Sequence, residues 1–251
     1  DMWNEYPNSP ESAREKDEDI RARPNYANHL GVDVMLSLHT NGSDSASVRG
    51  AEVYYHREKP QDKPLADSIL CGMREVIHAQ PGYESFPIRA ESVAEGHGEN
   101  RIGTMPSVIV ETAYHSNPED VAALQDPAFR SASMKGVEKG YRLWATGRSC
   151  ETLTLDSLAD VQIPVRSSLI VPVAFKGNPQ YPVVLELGVA SCVGGNCTPS
   201  DEEFMDPSQP VQLELLCNGS GAGTVRWRTR LRDADGVVTE YQEFNQSCVL
   251  T

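Results

Sequence analysis

Two side chains that could carry out hydrolysis close two apolar runs that lie far apart in the chain. His39 follows Val34–Leu38, and Glu111 follows the β-branched run Val108–Val110. A neutral imidazole is a common metal ligand, and a carboxylate beside a metal can take a proton from an attacking water. The pair therefore predicts a metal-assisted hydrolase site, on condition that the fold brings the two side chains together.

The segments that carry these residues have the pattern of strands. Polar and apolar side chains alternate from Leu36 to His39, and Gly42 ends the alternation. The run 106–111 has the composition of a strand buried inside a parallel sheet. Since the carboxyl ends of parallel strands share one edge, both side chains would emerge there. Each also has a plain structural interpretation: His39 as a satisfied polar residue, and Glu111 as the cap of a neighbouring helix.

Helical patterns surround these strands. We expect residues 1–19 to form a loop or the approach to a helix, with Pro24 in the first turn of the helix that follows. Asn117 is the expected cap of a later helix. Together with a strand at 50–55, the pattern predicts an α/β domain at 1–147, with an open, mostly parallel sheet flanked by helices at 20–30, 64–79 and 127–146.

The chain changes character near residue 147. Short strand-like segments then alternate with Gly, Pro, Asn and Asp clusters, which predicts an immunoglobulin-like β-sandwich as an accessory domain at 148–251. A hairpin is expected from 225–232 into 237–244. The predicted strands are 152–155, 161–165, 168–175, 182–190, 210–216, 224–232 and 236–244.

Composition narrows the classes of function. The 251 residues carry 22 basic and 36 acidic side chains and a net charge of −14, which argues against nucleic acid as a partner. No apolar run approaches the roughly 20 residues of a transmembrane helix. Residues 1–5 lack the features of a signal peptide, so we expect the chain to begin after processing or inside a longer protein.

Six cysteines indicate disulfides and an oxidising compartment. No Cys-x-x-Cys pair occurs, which argues against a thiolate zinc site. Proximity favours the pairs Cys192–Cys197, Cys217–Cys248 and Cys71–Cys150 among fifteen possible connectivities. A free, buried Cys71 is the alternative.

Several blocks of residues 20–145, in this order and spacing, resemble the zinc-dependent N-acetylmuramoyl-L-alanine amidases, which are cell-wall amidases with a phosphorylase/hydrolase-like α/β fold. The blocks are Arg23-x-x-x-Ala27-Asn28, Asp33-Val34-Met35-Leu36-Ser37-Leu38-His39-Thr40-Asn41, Gly50-Ala51-Glu52-Val53-Tyr54-Tyr55, Leu65-Ala66, the run from Met105 through Glu111 to Asp120, and Leu124-x-Asp126-Pro127.

The resemblance implies a specific reaction. His39 matches the last histidine ligand of the family's zinc ion, and Glu111 matches its catalytic glutamate. Asn41 would either contact substrate or hold its loop. The reaction would hydrolyse the amide between N-acetylmuramic acid and L-alanine of peptidoglycan, in a protein exported to the periplasm or to the extracellular cell wall. The β-sandwich would be free to bind a partner protein.

The chain departs from the family in its other zinc ligands. The family supplies an earlier histidine, in an Asp-Pro-Gly-His-Gly-like motif, and a glutamate on the next helix. Neither motif is present, so we expect these ligands upstream of Asp1, in a missing N-terminal part of the domain. His29 cannot replace them because it lies in the predicted helix at 20–30. One alternative is a catalytically inactive, amidase-like module that binds the cell wall or a partner. Another is that the β-sandwich is the functional part of the chain.

Two further features remain open in the sequence. His97 lies in a glycine-rich loop that could reach the cleft. Alternate positions of one predicted strand carry arginines, which would either contact anionic glycan or pair with Glu240 and neighbouring acids. These arginines are Arg226, Arg228, Arg230 and Arg232.

Overall fold

A computed structural model describes residues 12–194, 197–219 and 221–250. The chain divides into two compact units, Asp1–Cys150 and Glu151–Thr251. Within the described ranges, no helix has the length and apolar character that a membrane span requires.

The first unit is built on a four-stranded sheet in the order β1-β4-β2-β3. The strands are β1 (Met35–Asn41), β2 (Glu52–His56), β3 (Val93–Glu95) and β4 (Ser107–Tyr114). β1 pairs with β4 and β2 with β3 in parallel, whereas β2 and β4 are antiparallel. β2 reverses direction because a loop without a crossover helix connects it to β1. The expected α/β sheet flanked by helices is confirmed, with this one antiparallel pair.

Five α-helices and one short 3-10 helix, Pro60–Asp62, accompany the sheet in the described part of this unit. The α-helices are α1 (Ser12–Leu30), α2 (Lys63–His78), α3 (Gly98–Ile102), α4 (Pro118–Gln125) and α5 (Pro127–Ala145). The placement of Pro24 in the first turn of a helix that starts at Ile20 is wrong, since Pro24 lies inside α1. Glu, Lys and Arg before Ile20 are good helix formers and extend the helix towards the N-terminus, despite the backbone hydrogen bond that proline cannot donate.

The core of the first unit includes a close contact between α2 and α5. A Cβ atom built on Gly140 would lie 2.4 Å from the Cα atom of Ile69, so only glycine permits this approach. Ile69, Met73 and Phe129 are fully buried. Lys139 is buried beside them and pairs with Glu75, with 2.7 Å between Nζ and Oε2.

The second unit is all β in its described residues. A five-stranded sheet has the order β10-β9-β12-β13-β6, and two-stranded sheets pair β11 with β7 and β5 with β8. The immunoglobulin-like sandwich stays a prediction. The strands are β5 (Thr154–Leu155), β6 (Val161–Pro164), β7 (Ser168–Pro172), β8 (Phe175–Lys176), β9 (Val183–Val193), β10 (Ser200–Phe204), β11 (Gln212–Leu216), β12 (Gly223–Arg232) and β13 (Gln242–Val249).

The predicted hairpin is present, but its second strand starts later than expected. β12 and β13 are antiparallel, with Thr229 opposite Gln242. The turn before β13 is held by the carboxylate of Asp233, which accepts hydrogen bonds from the backbone of Asp235 and Val237 at 3.0 and 2.9 Å. The polar strand β10 was not predicted because its acidic sequence lacks an apolar alternation.

Ion pairs account for three of the four arginines on β12. Arg226 lies 2.5 Å from Glu243, and Arg230 and Arg232 lie 2.6 and 2.8 Å from opposite oxygens of Glu186. The acidic partners of these three arginines are thus Glu243 and Glu186 rather than Glu240. These contacts favour the interpretation of the stripe as a solvated, ion-paired sheet face.

All three expected disulfides are present: Cys71–Cys150, Cys192–Cys197 and Cys217–Cys248. The alternative of a free Cys71 is therefore wrong. The bond from α2 to Cys150 ties the segment after α5 back to the core of the first unit.

Candidate active site

The structure brings His39 and Glu111 together on neighbouring strands. β1 and β4 run parallel in a register that places the Cα atom of His39 opposite that of Glu111. The Thr112 hydroxyl donates to the His39 carbonyl at 3.2 Å and fixes the strands beside the pair. β4 continues beyond Glu111 to Tyr114, so this carboxylate lies within the strand rather than at its end.

A third polar side chain extends the row across the sheet. Glu52 on β2 is the register partner of Glu111 on its other side. Register partners project to the same face of a sheet, so the three residues share one face. α1 and α3 cover this face and enclose a cleft of about 310 Å³, whose lining includes Arg23, His39, His97, Glu99 and Glu111.

Glu111 has the surroundings of a base. Its Oε2 atom is buried and makes no hydrogen bond to any described residue. Burial raises the pKa of its carboxyl above the ordinary value; the nearby charges of Glu52 and Glu99 act in the same direction, and His39 and His115 act against it. Glu111 lines the cleft, its pKa is raised and one of its oxygens has no hydrogen-bond partner, so its carboxylate is suited to accept a proton from water.

Glu99 and Arg23 complete the charged cluster around His39. The Arg23 guanidinium donates through Nη1 to Oε1 of Glu99 and through Nη2 to Asp19. The same Nη1 lies 3.4 Å from Nε2 of His39, and Oε2 of Glu99 lies 3.3 Å from that nitrogen. The side chain of Glu99 is only 5% exposed, so its charge is held inside the protein by these partners.

The short helix α3 is fastened to the sheet just after Glu99. Lys59 donates through Nζ to the carbonyl of Asn100 at 2.6 Å, and the Asn100 amide donates to the carbonyl of Tyr54 at 3.0 Å. The Ser107 hydroxyl at the start of β4 also donates to the Asn100 carbonyl, at 3.2 Å. The backbone next to Glu99 is therefore held to β2 and β4 through Asn100.

Asn41 is engaged with the protein at both ends of its side chain. Its Oδ1 accepts from the backbone of Gly42 at 2.8 Å, and its Nδ2 donates to the Tyr54 hydroxyl at 3.2 Å. That hydroxyl donates in turn to Glu52, and burial together with this hydrogen bond raises the pKa of Tyr54. Glu52 also accepts from Arg89 at 3.0 Å. These bonds link the end of β1 to β2, on the far side of β4.

The segment after β4 anchors the loop that follows His39. The hydroxyl of Ser116 accepts from the backbone of Ser43 at 2.9 Å, and Asn117 donates to the carbonyl of Ala46 at 2.7 Å. Asn117 also caps α4, as predicted, by accepting from two backbone amides of its first turn. Buried Asp120 accepts from the backbone of Gly50 at 2.6 Å. The segment 116–120 thus positions the loop beside the cleft.

Of the remaining histidines, two lie near the site. His97 lines the cleft and packs edge-on against Tyr54, with 5.0 Å between ring centroids. His115 lies beside the loop after β1, where its Nδ1 is 3.2 Å from the Thr40 hydroxyl. His56 is buried and accepts from the backbone of Glu58, so it is a packed residue.

Sequence reasoning did not single out Glu99 as a site residue. Arg23 was noticed only as part of a motif, with no role assigned. The contacts of Glu99 with Arg23 and His39 span 76 and 60 residues of the chain, so no local sequence pattern predicts them. The available signal was weak: a carboxylate two residues after His97, in a loop already expected to lie near the cleft.

The side chains around the cleft include some of the donor atoms that zinc requires. Hydrolytic zinc sites use three protein ligands, which are nitrogen, sulfur or carboxylate oxygen atoms. Nε2 of His39 and Oε2 of Glu99 fit two such ligands, and Glu111 is a lining residue of the same cleft. No group of three or more His, Cys, Asp or Glu side chains with metal-binding geometry occurs in residues 12–194, 197–219 and 221–250. The described residues therefore fit part of a zinc site.

Comparisons with known proteins found similar sequences and structures among amidases. LytC, an N-acetylmuramoyl-L-alanine amidase of Bacillus subtilis (strain 168), is 27% identical over 123 residues, which are 48% of this chain and 23% of LytC. The solved catalytic domain of the amidase CwlV from Bacillus (Paenibacillus) polymyxa var. colistinus is 26% identical, with a TM-score of 0.43 over 51% of this chain and 65% of that one. The CwlD amidase from Clostridioides difficile, solved in complex with the GerS lipoprotein, is 17% identical, with a TM-score of 0.48 over 57% and 69%.

The chain thus spans less than a quarter of the length of LytC. The family described as N-acetylmuramoyl-L-alanine amidase matches residues 11–142, which is more than half of this chain. By this match, the chain belongs to the N-acetylmuramoyl-L-alanine amidase family.

Proposed function

We propose that the first unit hydrolyses the amide bond between N-acetylmuramic acid and L-alanine in peptidoglycan, with zinc as its cofactor. The observation that carries this proposal is the buried, unpartnered Oε2 of Glu111, on the strand beside His39, in a cleft of a chain from this family. Zinc, when bound, would polarise the scissile carbonyl and lower the pKa of a water toward about 7.

Glu111 would act as the general base and then as the general acid. Its carboxylate takes one proton from the attacking water as the oxygen bonds to the carbonyl carbon. It returns that proton to the nitrogen of L-alanine as the carbon–nitrogen bond breaks. The products are the free lactyl carboxylic acid and a free amine, so atoms and charge balance. The raised pKa of Glu111 suits this return step, because it makes the protonated carboxyl available at higher pH.

His39 would hold the metal through Nε2, the ring nitrogen that faces Glu99 and Arg23. Asn41 remains a candidate substrate contact, but its two internal hydrogen bonds support the loop-holding role more strongly. Membership of a cell-wall amidase family and three disulfides support export to an oxidising compartment. The second unit would then be available to bind the cell wall or a partner protein.

The proposal is tested by incubating the chain with purified peptidoglycan and zinc, then identifying the products by mass spectrometry. We expect stem peptides with a free L-alanine amino group, and no such product when a chelator is added before the substrate. Products cut at another bond, or full activity in excess chelator, would contradict the proposal. Wall binding without cleavage would instead support the inactive, binding-module alternative.

A further inference from the structure

We propose that Glu99 is a second ligand of the metal held by His39, and that Arg23 competes with the metal for this pair of side chains. The inference rests on the proposed function only for the identity of the metal. Glu99 lies on α3, outside the sequence motifs of His39 and Glu111 that predicted the site. If Glu99 binds the metal, α3 is part of the metal centre.

The separation of the two ligand atoms supports the first part. Nε2 of His39 and Oε2 of Glu99 lie 3.3 Å apart. Two atoms that are each about 2.0–2.1 Å from one zinc ion, in tetrahedral geometry, lie roughly 3.3–3.4 Å from each other. The side chains are therefore spaced as ligands of one ion without any movement of the backbone.

The burial and support of Glu99 point the same way. Its side chain is 5% exposed and lines the same cleft as Glu111. The hydrogen bonds that fasten Asn100 to β2 and β4 hold the backbone beside it. Metal ligands are most effective when the surrounding structure fixes them in advance, because little ordering is then needed on binding.

Arg23 supplies a positive charge to the same two side chains. Its guanidinium donates to Oε1 of Glu99 and lies 3.4 Å from Nε2 of His39. The guanidinium therefore lies beside both side chains that would hold the metal, and its positive charge would repel a cation bound there. Arg23 also donates to Asp19, whose side chain is 67% exposed, so the guanidinium keeps a partner when Glu99 turns to the metal.

The competition predicts opposite effects for two variants. Glu99→Gln removes a negative ligand, and we expect it to weaken zinc binding at least tenfold. Arg23→Gln removes the competing cation, and we expect it to tighten zinc binding several-fold. Glu95→Gln is the matched control: Glu95 lies four residues before Glu99, is 46% exposed and pairs with Arg57 outside the metal cluster. Its affinity should equal that of the wild type.

Zinc affinity is measured on the whole chain by competition with a chromophoric chelator, and cobalt absorption spectra report the change in ligands. Circular dichroism checks that each variant is folded. Equal affinities of Glu99→Gln and the control, an Arg23→Gln variant that binds no more tightly, or a wild type that binds no zinc would each overturn the inference. The assay needs no turnover, so zinc binding through Glu99 without amidase activity would contradict the proposed function alone.

Discussion

Asp120 offers a sharp test of how the loop beside the active site is held in place. Its side chain is fully buried, and its carboxylate accepts hydrogen bonds from the backbone amides of Gly50 and Tyr114 at 2.6 and 2.9 Å and from Arg49 at 3.2 Å. The change Asp120→Ala removes the carboxylate, so two backbone amides and the Arg49 guanidinium lose this hydrogen-bond acceptor. One carboxylate thus joins the start of β2, the end of β4 and the loop between β1 and β2.

The expected cost follows from these contacts. A hydrogen bond to a charged group contributes about 1.5–3 kcal/mol, and removing one partner of a buried charged pair costs about 3–5 kcal/mol. We therefore expect Asp120→Ala to lower the free energy of unfolding of the first unit by about 3–5 kcal/mol. At about 2–4 °C per kcal/mol, the melting temperature should fall by roughly 10 °C.

Glu119→Ala is the matched control for this experiment. Glu119 precedes Asp120 on α4 and also pairs with Arg49, but its side chain is 71% exposed. An exposed ion pair contributes about 0–1 kcal/mol, so the control should melt within about 4 °C of the wild type. Thermal unfolding by circular dichroism gives the comparison, and hydrogen exchange at the amides of Gly50 and Tyr114 should accelerate only in Asp120→Ala. Equal melting temperatures for the two variants would refute the reasoning.

Three further predictions concern stability. Burial raises the pKa of Glu111 in the folded state. The protonated carboxyl therefore contributes to folding stability fully below the ordinary pKa of 4.5, and this contribution is lost as the pH rises through the folded-state pKa. Thermal melts should then show Glu111→Gln gaining stability over the wild type from pH 4 to pH 8, and a constant difference would contradict this. Replacing both Cys71 and Cys150 by serine should cost about 2–5 kcal/mol in urea unfolding, because the bond spans 79 residues; an unchanged midpoint would count against it. Gly140→Ala should cost about 1–3 kcal/mol because its Cβ would overlap the backbone of α2, whereas exposed Ser131→Ala on the same helix should change stability by less than about 0.5 kcal/mol.

The sequence was sufficient for the strands that carry the central pair. Apolar alternation before His39 and the β-branched run before Glu111 are strong local signals, and parallel pairing then places the two residues side by side. The cap at Asn117 was equally local, since an asparagine followed by proline specifies both the end of a loop and the start of a helix.

Other parts of the fold could not be predicted from the sequence, either because the local signal was weak or because distant contacts decide them. α1 has a weakly apolar, highly charged sequence and an internal proline, so its first turns were missed. Glu99 enters the site only because α3 is tied to two strands of the sheet. The late start of β13 follows from hydrogen bonds to Asp233, which replace strand pairing in the turn. Tertiary contacts thus determine the position of Glu99, whereas the start of α1 and the turn before β13 depend on nearby residues whose local signals were weak.

The most direct test of the central claim compares wild type and Glu111→Gln for zinc-dependent release of free L-alanine amino groups from purified peptidoglycan. Removing a general base costs about 10²–10⁴-fold in rate, so the variant should lose at least about a hundredfold while its circular dichroism spectrum is unchanged. The control variant Glu119→Gln makes the same carboxylate-to-amide change at an exposed position on α4 and should keep wild-type activity. A folded Glu111→Gln variant that releases L-alanine amino groups at the wild-type rate would contradict the assignment of Glu111 as the base.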